Sequence, residues 1–257
     1  MRKTSTIRKH KEGRGKGEGA NYKPWLTVRD VPSRGRKHRI SGKTVDRHYS
    51  VLSDNERNVV FVAEFGMNVV QIQEQMPLLP ISKTISIAES LNIPHPKFKK
   101  ENVVMTTDFL ITIINEQNRK EKIAISYKPS WEFSDRNIAK MQLEKSFWEQ
   151  RRGGPIKWTV WSEEQINSIL LHNISLLREY FDGEYLKKEP FIEALNKNES
   201  PKSSIAEVVR SISKELKITS GVGKSIFMHL LSHKVYSFDY YKTFSWTMAF
   251  DQFQFSK

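Results

Sequence analysis

Residues 103–129 read VVMTTDFLITIINEQNRKEKIAISYKP and predict two strands joined by a polar turn. The apolar runs from Val103 to Ile114 and from Ile123 to Tyr127 have the length and β-branched composition of strands. A charged residue, Asp108, interrupts the first strand, and Lys128 ends the second. An antiparallel hairpin would bring these two side chains together at one edge of a sheet, so this stretch governs both the expected fold and the expected site.

The flanking segments predict helices and further strands around this hairpin. Upstream, we expect a helix over 53–65 and a short strand over 69–72. Downstream, a helix is expected over 135–151 and a strand over 156–161. Strands interleaved with helices indicate an α/β or mixed-sheet domain, which we place at residues 21–165.

The two ends of the chain differ from this central domain. Residues 1–20 are basic and glycine-rich with little apolar material, so we expect a flexible basic arm. Three or four short helices and a terminal aromatic hairpin are typical of a winged helix, the fold expected for residues 166–257. The helices of this second part are expected over 162–180, 190–196, 203–216 and 223–233.

Composition excludes several classes of protein. The 257 residues include no cysteine, which excludes disulfide frameworks, thiolate metal sites and cysteine nucleophiles. No apolar run approaches the roughly 20 residues needed to cross a bilayer, and we expect no membrane partner. Residues 1–50 hold 15 Lys or Arg against 4 Asp or Glu, so most of the net charge of +13 lies there. This pattern indicates an intracellular protein that binds a polyanion such as nucleic acid.

A compact basic cluster within this region is the expected DNA contact. Its arginines and lysine surround a glycine, as is typical of segments that bind phosphates, although a flexible solubilising segment would have the same composition. The cluster consists of Arg34, Arg36, Lys37 and Arg39.

The candidate active site combines carboxylates with a lysine. Asp108 within an apolar strand needs a partner or a cation to offset its desolvation, and Glu56 lies in the first turn of an expected helix. A nuclease needs carboxylates that hold Mg²⁺ against a phosphate and a lysine that positions or deprotonates water. Each residue also has an ordinary explanation. Ser53-x-x-Glu56 is a capping box, Asp108 could form an ion pair in a strand, and Lys128 could be a solvated strand end.

Seven segments occur in the order found in the TnsA family, the endonuclease subunits of heteromeric cut-and-paste Tns transposases. They are EGRGKGEGANYKPWLTV (12–28), PSRGRKHRI (32–40), SDNE (53–56), EQMPLLP (74–80), HP (95–96), MTTDFL (105–110) and AISYKP (124–129). The chain resembles this family over roughly its first two-thirds and more weakly beyond. The resemblance implies a restriction-endonuclease-like domain with a PD-(D/E)xK site, followed by a winged-helix domain.

The resemblance also assigns roles to residues. It implies that Glu56, Asp108 and Lys128 are catalytic. It further implies that Glu56, Asp108 and the carbonyl of Tyr127 hold one or two Mg²⁺ ions, which Mn²⁺ can replace. Ser126 departs from the family pattern, because Glu, Asp or Gln usually stands two residues before the lysine and a hydroxyl is a poor Mg²⁺ ligand.

A further acidic position of the family is matched by Glu144, for which exposed helix surface is the ordinary explanation. The resemblance implies an enzyme that cuts the 5′ strands at transposon ends, while a separate DDE transposase cuts and joins the 3′ ends. An AAA+ ATPase regulator is the third implied partner. Residues 166–257 carry 12 basic and 10 acidic residues, so we expect them to dock this regulator more than to bind DNA.

The resemblance places the protein in the bacterial cytoplasm, at the nucleoid during transposition. Two alternative functions remain open from the sequence. One is a free-standing restriction-like or junction-cutting nuclease with the same fold and chemistry. The other is a non-catalytic DNA-binding regulator with a decayed site, an alternative that depends on Ser126.

Overall fold

The computed structural model describes residues 5–31, 36–66 and 68–256, and the chain divides into two compact units. Unit 1 spans Met1–Ile166 and unit 2 spans Asn167–Lys257. The division falls one residue beyond the boundary expected from the change in sequence pattern.

Unit 1 contains four helices and eight strands among its described residues. In chain order they are α1 (Thr6–Lys11), β1 (His38–Ser41), β2 (His48–Val51), α2 (Asp54–Gly66), β3 (Val69–Pro77), α3 (Ile81–Ser90), β4 (Lys97–Phe98), β5 (Glu101–Asn102), β6 (Thr106–Ile114), β7 (Lys120–Tyr127), α4 (Asp135–Glu149) and β8 (Lys157–Trp161).

A four-stranded mixed sheet forms the centre of unit 1, with the strand order β3-β6-β7-β8. The first three strands are antiparallel, with Glu74 opposite Phe109 and Phe109 opposite Ile125. The fourth strand is parallel to β7, with Ile125 beside Thr159. This arrangement is the mixed α/β domain expected from the alternation of strands and helices, and it puts the start of β6 and the end of β7 at the same edge.

Helices cover both faces of this sheet, because successive strand residues point to opposite sides. Phe109 and Ile111 pack on one face against Val59, Val60 and Ala63 of α2. Leu110 and Ala124 point to the other face, where a second core of buried side chains includes residues of α3 and α4. The central strands are therefore buried on both sides, which fits their nearly continuous apolar sequence.

The amino-terminal segment differs from the flexible arm that its composition predicted, because residues 5–20 are folded. Gly15 has φ +75°, and a Cβ at this position would lie 2.3 Å from Cγ of Pro77. The carbonyl of Gly17 accepts a hydrogen bond from the side chain of Gln73 at 3.2 Å. The glycines therefore permit close packing against the strand and do not mark mobile chain.

Two aromatic residues just beyond the expected arm anchor this segment. Tyr22 and Trp25 are buried, and the Tyr22 hydroxyl donates to the carbonyl of Glu74 at 3.0 Å. The guanidinium of Arg14 is paired with Asp30 and also reaches the carbonyl of Trp25. The composition of residues 1–20 did not predict a folded segment, because the apolar anchors Tyr22 and Trp25 lie beyond residue 20.

Two elements of the sheet region differ from the sequence expectation. The strand predicted over 69–72 continues to Pro77, because the polar run Gln73–Gln75 is buried and its first two residues pair with β6. Helix α3 was not predicted, since its sequence ISKTISIAES is rich in β-branched residues and serine, which have low helix propensity. Its Ile87 and Ala88 contribute to the second core, so tertiary packing stabilises it.

Unit 2 is mainly helical. Its elements are α5 (Ser168–Arg178), α6 (Lys188–Asn196), α7 (Ile205–Glu215), α8 (Ser220–Ser232), β9 (Tyr236–Ser237) and β10 (Gln254–Phe255). The strand-like tail forms only a two-residue pairing, with Tyr236 opposite Phe255, and the intervening chain makes turns around a cluster of aromatic rings on Phe227. No helix in the described parts of the chain is long and apolar enough to cross a membrane.

Candidate active site

The two charged residues of the central hairpin meet at one edge of the sheet. Asp108 lies near the start of β6, and its Oδ2 accepts a hydrogen bond from the backbone N–H of Tyr127 at 2.8 Å. Lys128 follows β7 directly, and its Nζ lies 3.7 Å from the same carboxylate oxygen. The ammonium also donates to the carbonyl of Tyr127 at 2.9 Å. The antiparallel pairing of β6 with β7 therefore brings the acid and the base together, as the sequence predicted.

Glu56 reaches this edge from the first turn of α2. Its Oε2 accepts a hydrogen bond from the N–H of Leu52 at 2.9 Å, and its own N–H donates to Ser53 Oγ at 3.1 Å. These two bonds form a variant of the capping box that the sequence predicted. The same Oε2 also accepts from Nε2 of Gln75 at 3.2 Å, so the carboxyl is turned toward the sheet. The capping role and a place in the site are compatible.

Electrostatics show that these three groups share one environment. Burial, with the negative charge of Asp108 adding to it, raises the pKa of Glu56 to about 8. The charge of Asp108 raises the pKa of Lys128 despite its partial burial, and Glu144, Glu56 and Glu132 contribute in the same direction. A carboxyl whose pKa lies near neutrality beside a second carboxylate is typical of functional sites.

Glu144 also belongs to this region, although surface exposure was its ordinary explanation. It projects from α4 into the sheet and is buried. Its Oε1 accepts hydrogen bonds from Ser126 Oγ and, at 3.0 Å, from Nε1 of Trp158. Burial raises the pKa of Glu144, with Asp108 adding to the effect and the hydrogen bonds opposing it. Ser126 therefore donates a hydrogen bond to a carboxyl group of α4, and it does so from the strand position where an acid was expected.

Comparison with known proteins agrees with this geometry. Residues 66–163 match the family model described as "TnsA-like endonuclease N terminal". The chain is also 40% identical over 171 residues to the Transposon Tn7 transposition protein TnsA of Escherichia coli. Unit 1 therefore carries a TnsA-like endonuclease domain. The alignment covers 66% of this chain and 60% of the relative, so the chain spans less than two-thirds of that protein's length.

A TnsA-like domain accounts for the mixed sheet with helices on both faces, the arrangement of a restriction-endonuclease-like domain. The family match lies entirely within unit 1 and includes Asp108, Lys128 and Glu144. Glu56 precedes the matched segment, and its place in the site therefore rests on the contacts described above.

Sequence reasoning did not find Gln75, the residue that connects Glu56 to the sheet. Its side chain is buried, and its Oε1 accepts a hydrogen bond from Thr106 Oγ1 at 3.1 Å. Its backbone has φ +50°, an uncommon value for a residue with a side chain. Since Glu74 pairs with Phe109 and Met76 with Thr107, Gln75 stands opposite Asp108. The polar run QEQ inside an apolar strand was the signal that could have revealed it.

The oxygen donors at this edge fit a hard divalent cation. Asp108 and Glu56 offer two carboxyl groups, and the carbonyl of Tyr127 lies beside them, accepting from Lys128. Mg²⁺ in enzymes is held by one or two carboxylates and keeps several waters, so a larger protein cage is unnecessary. Within residues 5–31, 36–66 and 68–256, no three acidic or histidine side chains cluster closely enough to form a metal site by themselves. Water would therefore complete the coordination.

The basic cluster expected to contact DNA is only partly free to do so. Arg34 lies outside the described residues. The ammonium of Lys37 donates to the carbonyls of Val28 and Val31 at 2.7 and 2.9 Å, so it stabilises the loop. Arg36 and Arg39 are exposed, and Arg36 contacts Asp54 at the start of α2 at 3.2 Å.

Proposed function

We propose that the protein is a metal-dependent DNA endonuclease that cuts the 5′ strands at the ends of a transposon. The observation that carries the proposal is the meeting of Glu56, Asp108 and Lys128 at one edge of the central sheet. The two acids repel each other, and the lysine is drawn to both. Such a set favours a bound cation beside a negatively charged substrate.

Each residue has a distinct role in this proposal. Asp108 and Glu56 would hold Mg²⁺ together with the carbonyl of Tyr127. When bound, the ion supplies Lewis-acid activation of the scissile phosphate and of the attacking water. The ammonium of Lys128 orients this water or neutralises the charge that develops on the phosphate.

Glu144 acts through Ser126 in this scheme. A hydroxyl alone is a poor ligand for Mg²⁺, but the Ser126 hydroxyl is hydrogen-bonded to the Glu144 carboxyl. We assign to Glu144 the negative charge that the strand acid provides elsewhere in this fold. The second functional alternative, a regulator with a decayed site, loses its main support if this assignment holds.

The proposal includes partners for the 3′ cut and for regulation. The relative is named a transposition protein, and we infer a separate DDE transposase and an AAA+ ATPase regulator for this chain as well. Unit 2 would dock the regulator through a winged-helix-like arrangement of its four helices. Exposed Arg36 and Arg39 would contact DNA phosphates, and the protein would work at the bacterial nucleoid.

Lys128→Ala tests the proposed division of labour between two active sites. Loss of the ammonium should stop the 5′ cut, while the transposase still joins the 3′ ends to the target. The element would then remain attached to the donor on one strand, and replication would give donor–target fusions. The measurement is the ratio of fused to simple insertion products in cells that carry all the subunits.

Lys120→Ala is the matched control, because Lys120 begins the same strand at its far end and is exposed. It should give simple insertions only. Ordinary insertions from Lys128→Ala would contradict the proposed 5′ cut. Efficient cleavage by the purified protein without any partner would instead favour the free-standing nuclease.

A further inference from the structure

A short hairpin of unit 1 lies outside the site described above and carries three lysines. Strands β4 and β5 pair antiparallel, with Phe98 opposite Glu101, so that Lys99 and Lys100 form a two-residue turn. We infer that this hairpin binds the DNA duplex beside the cleavage point by contacting its phosphates. The inference rests on the proposed endonuclease function and adds the surface that holds its substrate.

The conformation of the turn is the first observation. Lys99 has φ +47° and Lys100 has φ +68°. Two-residue hairpin turns with positive φ at both positions strongly prefer Asn-Gly or Gly-Gly, because a side chain with Cβ is strained there. Two consecutive lysines are therefore a poor choice for this backbone. Residues that are unfavourable for local geometry often mark a functional position.

The hairpin at the opposite end of the sheet shows what geometry alone selects. Between β6 and β7, the residue with positive φ is Asn118, at +55°. The side chain of Asn115 accepts hydrogen bonds from the amides of Gln117 and Arg119 at 3.1 and 2.9 Å. Every strained position there is occupied by a residue suited to turns. The lysines of the β4–β5 turn are not suited to its backbone in this way, and the local contact of Lys99 is with the ring of Phe98, whose centre lies 6.0 Å from its Nζ.

Charge and exposure are the second observation. All residues from Lys97 to Asn102 are exposed, and the ring of Phe98 is 49% exposed. Within the residues that the structure describes, Lys97, Lys99 and Lys100 form no ion pair with an acidic side chain. Glu101 offsets one of the three charges, which leaves a net positive tip that can neutralise phosphates.

The position of the hairpin is the third observation. Its base is closed by a hydrogen bond from the N–H of Val103 to the carbonyl of Pro96 at 3.1 Å. The neighbouring His95 ring is hydrogen-bonded to Thr84 of α3 at 3.0 Å. The hairpin is therefore an anchored projection whose base is fixed to the helix layer.

This projection leads directly into the strand that carries Asp108. Asp108 lies six positions after Asn102, a distance of at most about 22 Å along extended chain. A duplex rises 3.4 Å per base pair, so the lysines can reach phosphates within about one helical turn of the cut.

The test is a variant that improves the turn while removing its charge. Lys99→Asn with Lys100→Gly matches the preferred turn sequence, so the free energy of unfolding should be unchanged or higher. Affinity for a fluorescently labelled duplex carrying the transposon end should fall about tenfold at physiological salt. The slope of log affinity against log salt should decrease by about 1.8, or 0.9 for each lost phosphate contact. Fluorescence anisotropy at several salt concentrations, measured with the full-length protein, provides both values.

The matched control is Arg119→Gln with Lys120→Gln, which removes two exposed charges from the opposite end of the sheet. Its affinity and salt slope should remain those of the wild type. In a second duplex, neutral methylphosphonates replace the phosphates within one turn of the cut. Both proteins should bind this duplex less tightly, but the wild type should lose more affinity than the turn variant, because only the wild type also loses the contacts of Lys99 and Lys100.

The outcomes separate this inference from the proposed function. If the wild type cuts DNA but the turn variant keeps its affinity and salt slope, the hairpin inference is wrong and the endonuclease proposal stands. An equal loss of DNA affinity in the control variant with Arg119→Gln and Lys120→Gln would also overturn the inference, because the effect would then depend on total charge and not on the hairpin. Unchanged DNA binding with lost assembly of the transposition complex would show that the hairpin binds an acidic protein surface instead. If the wild type neither binds nor cuts this DNA even when all the transposition subunits are present, the proposed function itself fails.

Discussion

Two glutamates of unit 1, the buried Glu74 of β3 and the half-buried Glu56 of α2, have opposite electrostatic surroundings. Glu74 is fully buried and forms a two-pronged ion pair with Arg47, whose Nη1 lies 2.9 Å from Oε1. The N–H of Ser50 donates to the same oxygen at 2.9 Å. Glu56 accepts hydrogen bonds from the N–H of Leu52 and from Gln75, and the positive charge that acts on it, that of Lys128, is shared with Asp108.

The contrast distinguishes a carboxylate that stabilises the fold, Glu74, from a carboxyl that is suited to a reaction, Glu56. A buried carboxylate that is fully paired and hydrogen-bonded fixes the position of its partners, here the β1–β2 hairpin against the sheet. A buried carboxyl beside a second acid is incompletely neutralised, and its pKa is shifted into the range where a proton or cation changes its state. Removing charge from the two regions should therefore have opposite consequences.

Asp108→Asn should have the largest effect on activity. Loss of this carboxylate removes a metal ligand, so cleavage should fall by about a thousandfold or more. Stability should change by less than about 1 kcal/mol, because asparagine can still accept from the N–H of Tyr127 and the Lys128 contact is partly exposed. Strand cleavage and urea unfolding of the same preparation measure both quantities. Substantial residual cleavage would remove Asp108 from the site.

Glu74→Gln should give the reverse result. It leaves the Arg47 charge buried without its partner, which costs about 3–5 kcal/mol of unfolding free energy. The folded fraction should cleave DNA at the wild-type rate, since Glu74 does not contact the site residues. Urea unfolding gives the stability, and the cleavage rate is normalised to folded protein. A stable Glu74→Gln variant would mean that the pair is structurally dispensable.

Much of unit 1 could be predicted from sequence because its pattern is local. The observed bounds of the strands around Asp108 and Lys128, and of the helix beginning near Ser53, lie within three residues of the expected ones. Hairpin geometry alone then brings Asp108 beside Lys128. The capping pattern of Ser53 and Glu56 was also readable, since both bonds span only a few residues.

The remaining features depend on contacts between distant segments. Ser126 and Glu144 lie 18 positions apart, and nothing in either local pattern indicates that the helix carboxyl accepts a hydrogen bond from the strand hydroxyl. Gln75 contacts Glu56 from 19 residues away. The amino-terminal segment was misjudged for the same reason, because Gly15 packs against Pro77, which composition cannot anticipate.

Glu56→Gln should have an intermediate effect that depends on pH. Activity should fall about a hundredfold through loss of a carboxylate, while the amide oxygen still accepts from Leu52 and keeps the cap. In the wild type without metal, the pKa of Glu56 rises from 4.5 to about 8 on folding. A raised carboxyl pKa favours folding when the group is protonated, so this stabilisation is complete below about pH 4.5 and is lost as pH rises through 8.

The glutamine variant mimics the protonated acid at every pH. Its stability relative to the wild type should therefore increase between pH 5 and pH 8.5 in EDTA, as measured by urea unfolding. Glu64→Gln is the control, because Glu64 lies on the same helix and accepts backbone hydrogen bonds from the β1–β2 loop instead. A difference that stays flat with pH would show that Glu56 is ionised in the folded protein. Full activity would restrict it to the capping role.

The smallest expected effect tests whether Glu144 supplies the acid missing at Ser126. Glu144→Ser alone should lower cleavage about tenfold, the size typical of a group that acts through a neighbour. Adding Ser126→Glu returns a carboxylate to the same place from the strand, with the summed side-chain volume unchanged. The double variant should therefore recover to within about threefold of the wild type, so the two changes are strongly coupled.

Ser126→Glu alone completes this cycle, and it should destabilise the protein because it places a second carboxyl beside the buried Glu144. The four proteins are compared by single-turnover cleavage under saturating Mg²⁺ and by urea unfolding. If the double variant is no more active than Glu144→Ser, a carboxylate on the strand cannot replace the one on the helix. The hydrogen bond between Ser126 and Glu144 is then structural. Recovery of activity without recovery of stability would instead locate the function in the charge, because Trp158 loses its acceptor in both variants.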